Sequence, residues 1–367
     1  MEETMSDTST GYEGPRGATP REFGEILDFV NYVFRADQGR RPSMGGDYPH
    51  CYREANAELF RHIRHDGHVV SCVNIYRAET CWDDATLVVG AIGGVATDPE
   101  HRRGGLAGEN LEDAVDYMTT NRYDISILWT GIGDYYRRWG WEDAGDRWRI
   151  DMDRTTLAYL PATPVGEILT KHDDERVIEG IRILHTQEGR GVKRDRDLTE
   201  AMLGNRIHFR MALQVVNNEP VAYILYGHTD NVVVECGGDP DGILGLMRTT
   251  FTEQDAQSAT LLLPSEHTEL TGRLTDLGFR VKVATQGMIM IINPANTLRA
   301  YGIDDMSFKR EPSDDKKSDD WVVMYNGEEY RYTANNLTKL LFGPEQPDGL
   351  KHPKLPLPFH YGQTDHM

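Results

Sequence analysis

An α/β (α+β) fold built on mixed central sheets is what this sequence predicts, on three observations. Runs rich in β-branched residues, such as Val69–Tyr76 and Thr86–Thr97, read as strands. Stretches with apolar residues on one helical face, such as Phe23, Ile26, Leu27, Val30 and Phe34, read as helices. The two kinds follow one another along most of the chain instead of segregating into blocks. At 367 residues the chain is also long enough for two or three domains.

Composition narrows the class. Lys and Arg number 39 against 59 Asp and Glu, a net charge of −20. That balance argues against broad binding to nucleic acid or to an anionic membrane. It suits a cationic substrate, although solubility alone accounts for an acidic surface. Cys51, Cys72, Cys81 and Cys236 form no CxxC pair, so neither a zinc signature nor a disulfide framework is expected. A reducing, cytoplasmic setting follows. The polar, acidic N-terminus shows no signal peptide. No apolar run reaches the ~18 residues that span a bilayer.

Taken in order, residues 1–18 are Ser-, Thr-, Glu- and Gly-rich and are expected to be disordered. Thr19-Pro20-Arg21-Glu22 opens a helix, with Thr as N-cap, Pro in the first turn and Glu closing a capping box. Gln38–Pro49 is a loop and Tyr52–Arg64 a helix. After Asp83-Asp84 comes the long strand to Thr97, then a helix from Gly108 to Thr120, a strand at Asp124–Thr130, a short helix at Asp134–Trp139 and a strand at Trp141–Asp151. A second region alternates in the same way. It has a helix at Leu198–Met211 capped by Asp197, a hairpin across Asn217-Asn218, a strand at Asn231–Glu235, and a helix at Gly242–Glu253. A strand at Thr260–Leu263, a helix at Leu270–Asp276 and a strand at Gly287–Ile292 complete it. Beyond Pro294, a charged loop leads to a hairpin at Trp321–Tyr332 and a helix from Thr333 to Phe342. The end, Lys351–Met367, is proline-rich and extended.

Gly90–Ala107 is the stretch with chemistry in it. Its apolar first half is a strand that Asp98-Pro99 stops. Arg102-Arg103-Gly104-Gly105 makes a basic, glycine-rich bend, and a helix with Leu111, Ala114, Val115 and Met118 on one face follows. A strand, a glycine turn and a helix N-terminus together make an anion cradle, because successive N–H groups converge and the helix dipole adds positive potential.

Two motifs carry a family resemblance. Arg102-x-x-Gly105-x-Ala107 is similar to the pyrophosphate loop of the GNAT superfamily of acetyl-CoA-dependent N-acetyltransferases. Tyr135-Tyr136-Arg137-Arg138-Trp139-Gly140-Trp141 resembles that superfamily's Tyr-x-x-x-Gly-Phe ending, with Trp for Phe. The wider layout resembles the Eis (enhanced intracellular survival) group. That implies tandem GNAT folds and a small sterol-carrier-like α/β domain: a catalytic domain over residues 19–153, a degenerate copy over 154–293, and the carrier-like domain over 294–367. The second region lacks the basic loop; Glu235-Cys236-Gly237-Gly238-Asp239 is acidic there and would repel a pyrophosphate.

The resemblance implies a site. Acetyl-CoA is the co-substrate, and no metal is expected. Its pyrophosphate is held by Arg102, Arg103, Gly104, Gly105, Leu106, Ala107 and Gly108, and its pantetheine arm pairs with the backbone of Val95, Ala96 and Thr97. Tyr136, the register favoured by counting from Gly140, is the general acid for the departing thiolate. The C-terminal carboxylate of Met367 is the general base that takes the amine proton, with Asp365, His366 or a water chain as alternatives. The acceptor is a primary amine, of small-molecule or peptide origin and cationic. A homo-oligomer, with a hexamer as one form, is implied too. The competing reading is a non-catalytic module that binds acyl-CoA or a lipid. His62, His65 and His68 have a spacing that invites a metal, but Asp66-Gly67 reads as a turn between the last two. Trp82, Trp129 and Trp148 line a pocket or fill core.

Overall fold

The computed structural model of the chain describes residues 11–162, 166–204, 209–265, 268–312 and 319–366. Its elements in chain order begin with β1 (Tyr12–Gly17), α1 (Phe23–Phe34), α2 (Met44–Asp47), β2 (Phe60–His65), β3 (His68–Trp82) and β4 (Ala85–Thr97). Next come α3 (Leu106–Thr120), β5 (Ile125–Leu128), α4 (Gly133–Arg137), β6 (Glu142–Asp153) and α5 (Arg154–Leu157). Then follow β7 (Glu167–Leu169), α6 (Glu175–Glu188), β8 (Arg190–Val192), α7 (Arg196–Leu203), β9 (Phe209–Val216), β10 (Glu219–Gly227) and β11 (Val232–Gly238). The rest is α8 (Pro240–Glu253), β12 (Ser258–Pro264), α9 (Thr268–Asp276), β13 (Lys282–Ile291), α10 (Pro294–Ala300), β14 (Met306–Glu311), β15 (Asp320–Tyr325), β16 (Glu328–Thr333) and α11 (Ala334–Phe342). The mixed α/β class read from the sequence is the class observed. Among the described residues no helix is long and apolar enough to cross a membrane.

The described residues divide into two units. One comprises the chain up to Tyr76 together with Ile92–Asn121; the other comprises Arg77–Ala91 and Arg122–His366. This division runs through β3 and β4 and does not follow the three consecutive segments expected from the sequence.

In the first unit β1, β2 and β3 pair antiparallel in that order. Of the segment 1–18 expected to be disordered, residues 1–10 lie outside the described residues, while Tyr12–Gly17 is a strand, with Tyr12 opposite His65 and Gly17 opposite Arg61. Its polar side chains find partners that composition does not reveal. Arg16 pairs with Glu22, and the Tyr12 hydroxyl lies 3.0 Å from His101 Nδ1. The expected helix at Tyr52–Arg64 is instead a 3-10 stretch over Glu54–Leu59 followed by β2. The reason is the turn between β2 and β3. Asp66 and Gly67 both take positive φ, 48° and 78°, which is the two-residue hairpin geometry. That turn lays Phe60–His65 on β3 and overrides the local helical spacing. Thr19 and Glu22 do form the capping box, at the 3-10 turn that leads into α1.

In the second unit the strand order is β4, β5, β13, β6, β12, β11, β10, β9, β7, with β8 on the Thr80–Trp82 end of β3. β4 and β5 are parallel over Val89–Ala91 and Ile125–Ile127. Parallel neighbours need a crossover, and α3 supplies it. β13, late in the chain, inserts antiparallel between β5 and β6 (Ile289 opposite Ile127 on one side, Gly287 opposite Ala144 on the other). One core cluster gathers Ile150, Ile224, Leu246, Phe251 and Leu274; another gathers Ile181, Leu213, Tyr223 and Leu225. The expected helix at Leu198–Met211 ends earlier, at Leu203, and its cap is Asp195 rather than Asp197: Asp195 accepts from the Leu198 amide at 2.8 Å. β14, β15 and β16 form a separate small sheet. The proline-rich end carries only a 3-10 turn at Gln363–Asp365.

Candidate active site

The cradle in the first unit is built from β4 outward. Gly94 has φ of 56°, a kink inside the strand, and a Cβ there would lie 2.8 Å from the Tyr52 hydroxyl. Val95, Ala96 and Thr97 follow. A buried polar chain fixes them: the Ser71 hydroxyl donates to the Ala96 carbonyl at 3.2 Å and lies 3.1 Å from the Thr97 hydroxyl. Asn110, fully buried on α3, donates to that same Ser71 oxygen at 2.9 Å. β3, β4 and the first turns of α3 are therefore tied at one point.

The strand ends where expected. Asp98 caps the turn Pro99–His101 by accepting from the Glu100 amide at 2.8 Å. Arg102 donates from Nε to the Thr97 carbonyl at 3.2 Å, which folds its side chain back along the strand end. Arg103 then takes φ of 69°, rare for a side chain with Cβ, and Gly105 takes 89°. Left-handed residues of this kind let successive amides turn toward one side of the chain, as anion-binding loops require. The first helical amides with an intrahelical partner are those of Gly108 and Glu109, on the Gly105 carbonyl. The amides of Leu106 and Ala107, like all first-turn N–H groups, point past the helix end. Leu106 is buried against Ile63 and Val70, which pins the helix start to the β2–β3 hairpin. Arg61 on β2 pairs with Asp113 on α3 and lies over the Tyr117 ring. A Cβ on Gly104 would make only ordinary contact, with the His101 carbonyl oxygen at 3.5 Å and the Leu106 side chain at 4.0 Å. The loop suits a pyrophosphate: Arg102–Gly105 are exposed and basic or glycine, and the first-turn amides of α3 lie next to them.

Tyr136 lies in the second unit, in the last turn of α4, just before the turn into β6. It is buried, while Tyr135 is half-buried and meets it edge-on at 5.1 Å between centroids. Burial, with a smaller contribution from Tyr135, pushes the Tyr136 hydroxyl up to about 12, so it stays protonated near neutrality. The Trp139 and Trp141 amides both donate to the Tyr136 carbonyl, at 3.0 and 3.3 Å. Trp141, fully buried, donates to the Ser126 hydroxyl at 3.2 Å, which donates to the Gly90 carbonyl at 2.7 Å. Arg137 closes the outside of the turn on Asp134, Glu142 and Asp143. Asn335, on α11, donates to the carbonyls of Arg137 and Trp141 at 3.2 and 3.0 Å. Nothing in the local sequence points to Asn335, which is remote from the turn it secures.

The C-terminal segment is also in the second unit. Met367 lies outside the described residues. His366 stacks on Trp129 with centroids 3.4 Å apart and planes 22° apart. Burial drives the His366 imidazole well below its ordinary value, so it is neutral. Asp365, read as a possible base, is fully buried and engaged by Arg194 at 2.6 Å. Burial raises Asp365 above its ordinary carboxyl value against the pull of Arg194.

His62 is fully buried and stands apart from the exposed His68, while His65 and His68 face each other across the hairpin. Glu235, the acidic residue of the second glycine stretch, is buried against Arg194. Asp239 there accepts from the Gly242 amide at 2.7 Å and so closes the N-terminus of α8 with its own carboxylate.

Residues 15–144 match the acetyltransferase (GNAT) domain family. No curated protein sequence matches the chain. Among solved structures the chain is similar to a conserved protein of unknown function from Enterococcus faecalis, a probable N-acyltransferase. The TM-score is 0.64 at 15% identity, over 90% of this chain and 89% of that one. A GCN5-related N-acetyltransferase from Anabaena variabilis gives 0.61 at 14%, over 88% and 84%. Eis1 from Mycobacterium abscessus gives 0.57 at 11%, over 86% and 84%. At these identities the likeness is one of fold. Residues 15–144 thus match the acetyltransferase (GNAT) domain, and the chain shares a mixed α/β fold with these structures.

Proposed function

We propose that this protein moves the acetyl group of acetyl-CoA to a primary amine by direct attack, with no covalent acyl-enzyme. One observation carries the reading: the loop at Arg103–Ala107, where two left-handed residues precede a helix whose first-turn amides have no intrahelical partner. The family match over residues 15–144 supports it. Acetyl-CoA supplies the activated acetyl thioester. Arg102 through Ala107 hold its pyrophosphate, the Gly108 amide being taken by the Gly105 carbonyl, and the backbone of Val95–Thr97 receives the pantetheine arm.

Tyr136 gives its proton to the departing thiolate. Its raised pKa keeps that proton available, and the buried Trp141 and the Asn335 bonds hold the turn still. The amine proton goes to the terminal carboxylate of Met367, with the neutral His366 imidazole as the alternative. Asp365 is committed to Arg194 and drops out of that role. The net charge of −20 suits a cationic acceptor, such as an aminoglycoside-like polyamine or a lysine side chain.

The same proposal includes the tandem organisation with a carrier-like end, a cytoplasmic location and a homo-oligomer, with a hexamer as one form. β11 and α8 repeat the strand–glycine turn–helix unit of β4 and α3, which supports a second, degenerate copy. Asp239 on its helix end supports placing the co-substrate only at the first. The test is to incubate the protein with acetyl-CoA and a panel of polyamines and lysine peptides and to look for the acetylated amine by mass spectrometry. An acetylated product supports the reading; none from any amine overturns it.

A further inference from the structure

The last described residues are fastened by a buried ion cluster. Arg194 donates two bonds to Glu235, at 2.8 and 2.7 Å, and two to Asp365, at 2.9 and 2.6 Å. It donates a further one to the Thr364 hydroxyl at 2.7 Å, and that hydroxyl donates to Glu235. Tyr223 donates to Glu235 at 3.0 Å. The charged side chains are 2% exposed at Arg194, 7% at Glu235 and 1% at Asp365. Burial works against the Arg194 charge, and the two carboxylates outweigh it, holding the guanidinium well above its usual range.

Such a cluster is a poor way to gain stability. Two carboxylates and a guanidinium lose their hydration, and apolar residues of similar volume commonly do as well or better. What a buried ionic network gives is one arrangement, because every other placement leaves a charge unpaired. Here it fixes a segment that has no ladder to hold it, since the proline-rich end carries only a 3-10 turn. The neighbours agree. Phe359 and Tyr361 are buried, and Gln286 on β13 lies 3.0 Å from His360 Nδ1. Trp129 donates to the Gln286 carbonyl at 2.8 Å and receives the His366 ring on its face. Trp129 directly follows β5, so the last described side chain sits at the carboxyl end of a parallel strand. That end is where α/β sheets hold their ligands.

We propose that Arg194, Glu235 and Asp365 form a clamp that fixes the C-terminal segment for catalysis, with Arg194 and Asp365 as positioning residues. The proposal rests on the reading that the chain end serves the transfer reaction as its base. The clamp lets a segment held by no strand ladder keep its last described residue, His366, in one place.

The test uses the full-length protein and its Asp365→Asn variant, which keeps shape and removes the charge. Two readouts are taken: the release of C-terminal residues by carboxypeptidase, and kcat with the KM for acetyl-CoA. In the wild-type chain, release stalls before position 365. In Asp365→Asn it passes that position at least about tenfold faster, and kcat falls about tenfold with the KM for acetyl-CoA unchanged. Asp365→Glu recovers part of both. If Asp365→Asn does not fold, Thr364→Val removes the bridging hydroxyl and leaves both carboxylates on Arg194; it gives the same two changes in smaller measure. Release no faster than wild type overturns the clamp. Faster release with unchanged kcat overturns its part in catalysis. If the wild-type protein acetylates no amine, the catalytic role falls with the proposed function, while the release rate still decides whether the clamp exists.

Discussion

Tyr136, the proposed general acid, has an environment that keeps its hydroxyl protonated near neutrality. Burial raises it to about 12, Tyr135 adds to the rise, and the turn holding it is bonded from both sides. Tyr136→Phe removes only the hydroxyl, so kcat falls by about tenfold or more while the KM for acetyl-CoA stays near wild type. Steady-state kinetics check this, and an unchanged kcat refutes the role. The ionisation of Tyr136 also gives kcat no alkaline fall below about pH 11, which a pH–rate profile reads directly. Tyr136 was legible in the sequence because its identity depends on a count of a few residues back from Gly140. Asn335 and Arg194 were not. Asn335 acts on a turn some two hundred residues away, and Arg194 belongs to the charged run Lys193–Asp197, a pattern that ordinarily marks solvated surface. Only the fold reveals that it is 2% exposed.

Among the elements, the glycine loop separates fold from function. Gly104 has an ordinary φ and room for a Cβ, whereas Gly105 has φ of 89°. Gly104→Ala therefore keeps the melting temperature and raises the KM for acetyl-CoA, because its methyl enters the cradle. Gly105→Ala lowers stability by roughly 1 kcal/mol as well, through its left-handed backbone. Thermal melts and acetyl-CoA titrations of the two variants distinguish them. The loop was readable because strand, breaker, glycines and helix follow one another in a single stretch. β2 was not. Its residues carry a helical spacing, and the decision is made by Asp66-Gly67 beyond its end, a hairpin turn whose effect is on pairing and not on local propensity. Strand β1 was missed for a related reason: an edge strand of polar residues gains its place from backbone bonds and the Arg16–Glu22 pair, which composition does not show.

Across the molecule, order along the chain and order in space part company. β13, from the region expected to be a separate copy, lies between β5 and β6 of the first region. A fragment ending at residue 153 would lose that central strand and expose Ile125, Ile127 and Ala144, all buried in the full chain. Expressed alone, it gives no cooperative thermal unfolding by circular dichroism; a sharp transition would contradict the packing. No periodicity argument finds such an insertion, because it pairs residues some 160 positions apart. The half-buried His360 sets a pH response for the same unit. Burial lowers it from 6.5 to about 3. Between those values the unfolded chain takes a proton that the folded chain refuses, so stability is full above about pH 6.5 and declines as pH falls toward 3. Melting temperatures across that range show the slope, and His360→Asn reduces it. Acetyl transfer to an amine underlies every catalytic role assigned above, and CoA thiol release from acetyl-CoA, followed with and without a cationic primary amine, tests it most directly. Direct transfer requires release that needs the amine, saturates with it, and falls about tenfold or more in Tyr136→Phe. Release that no amine stimulates, with a melting temperature that acetyl-CoA does not raise, would contradict it.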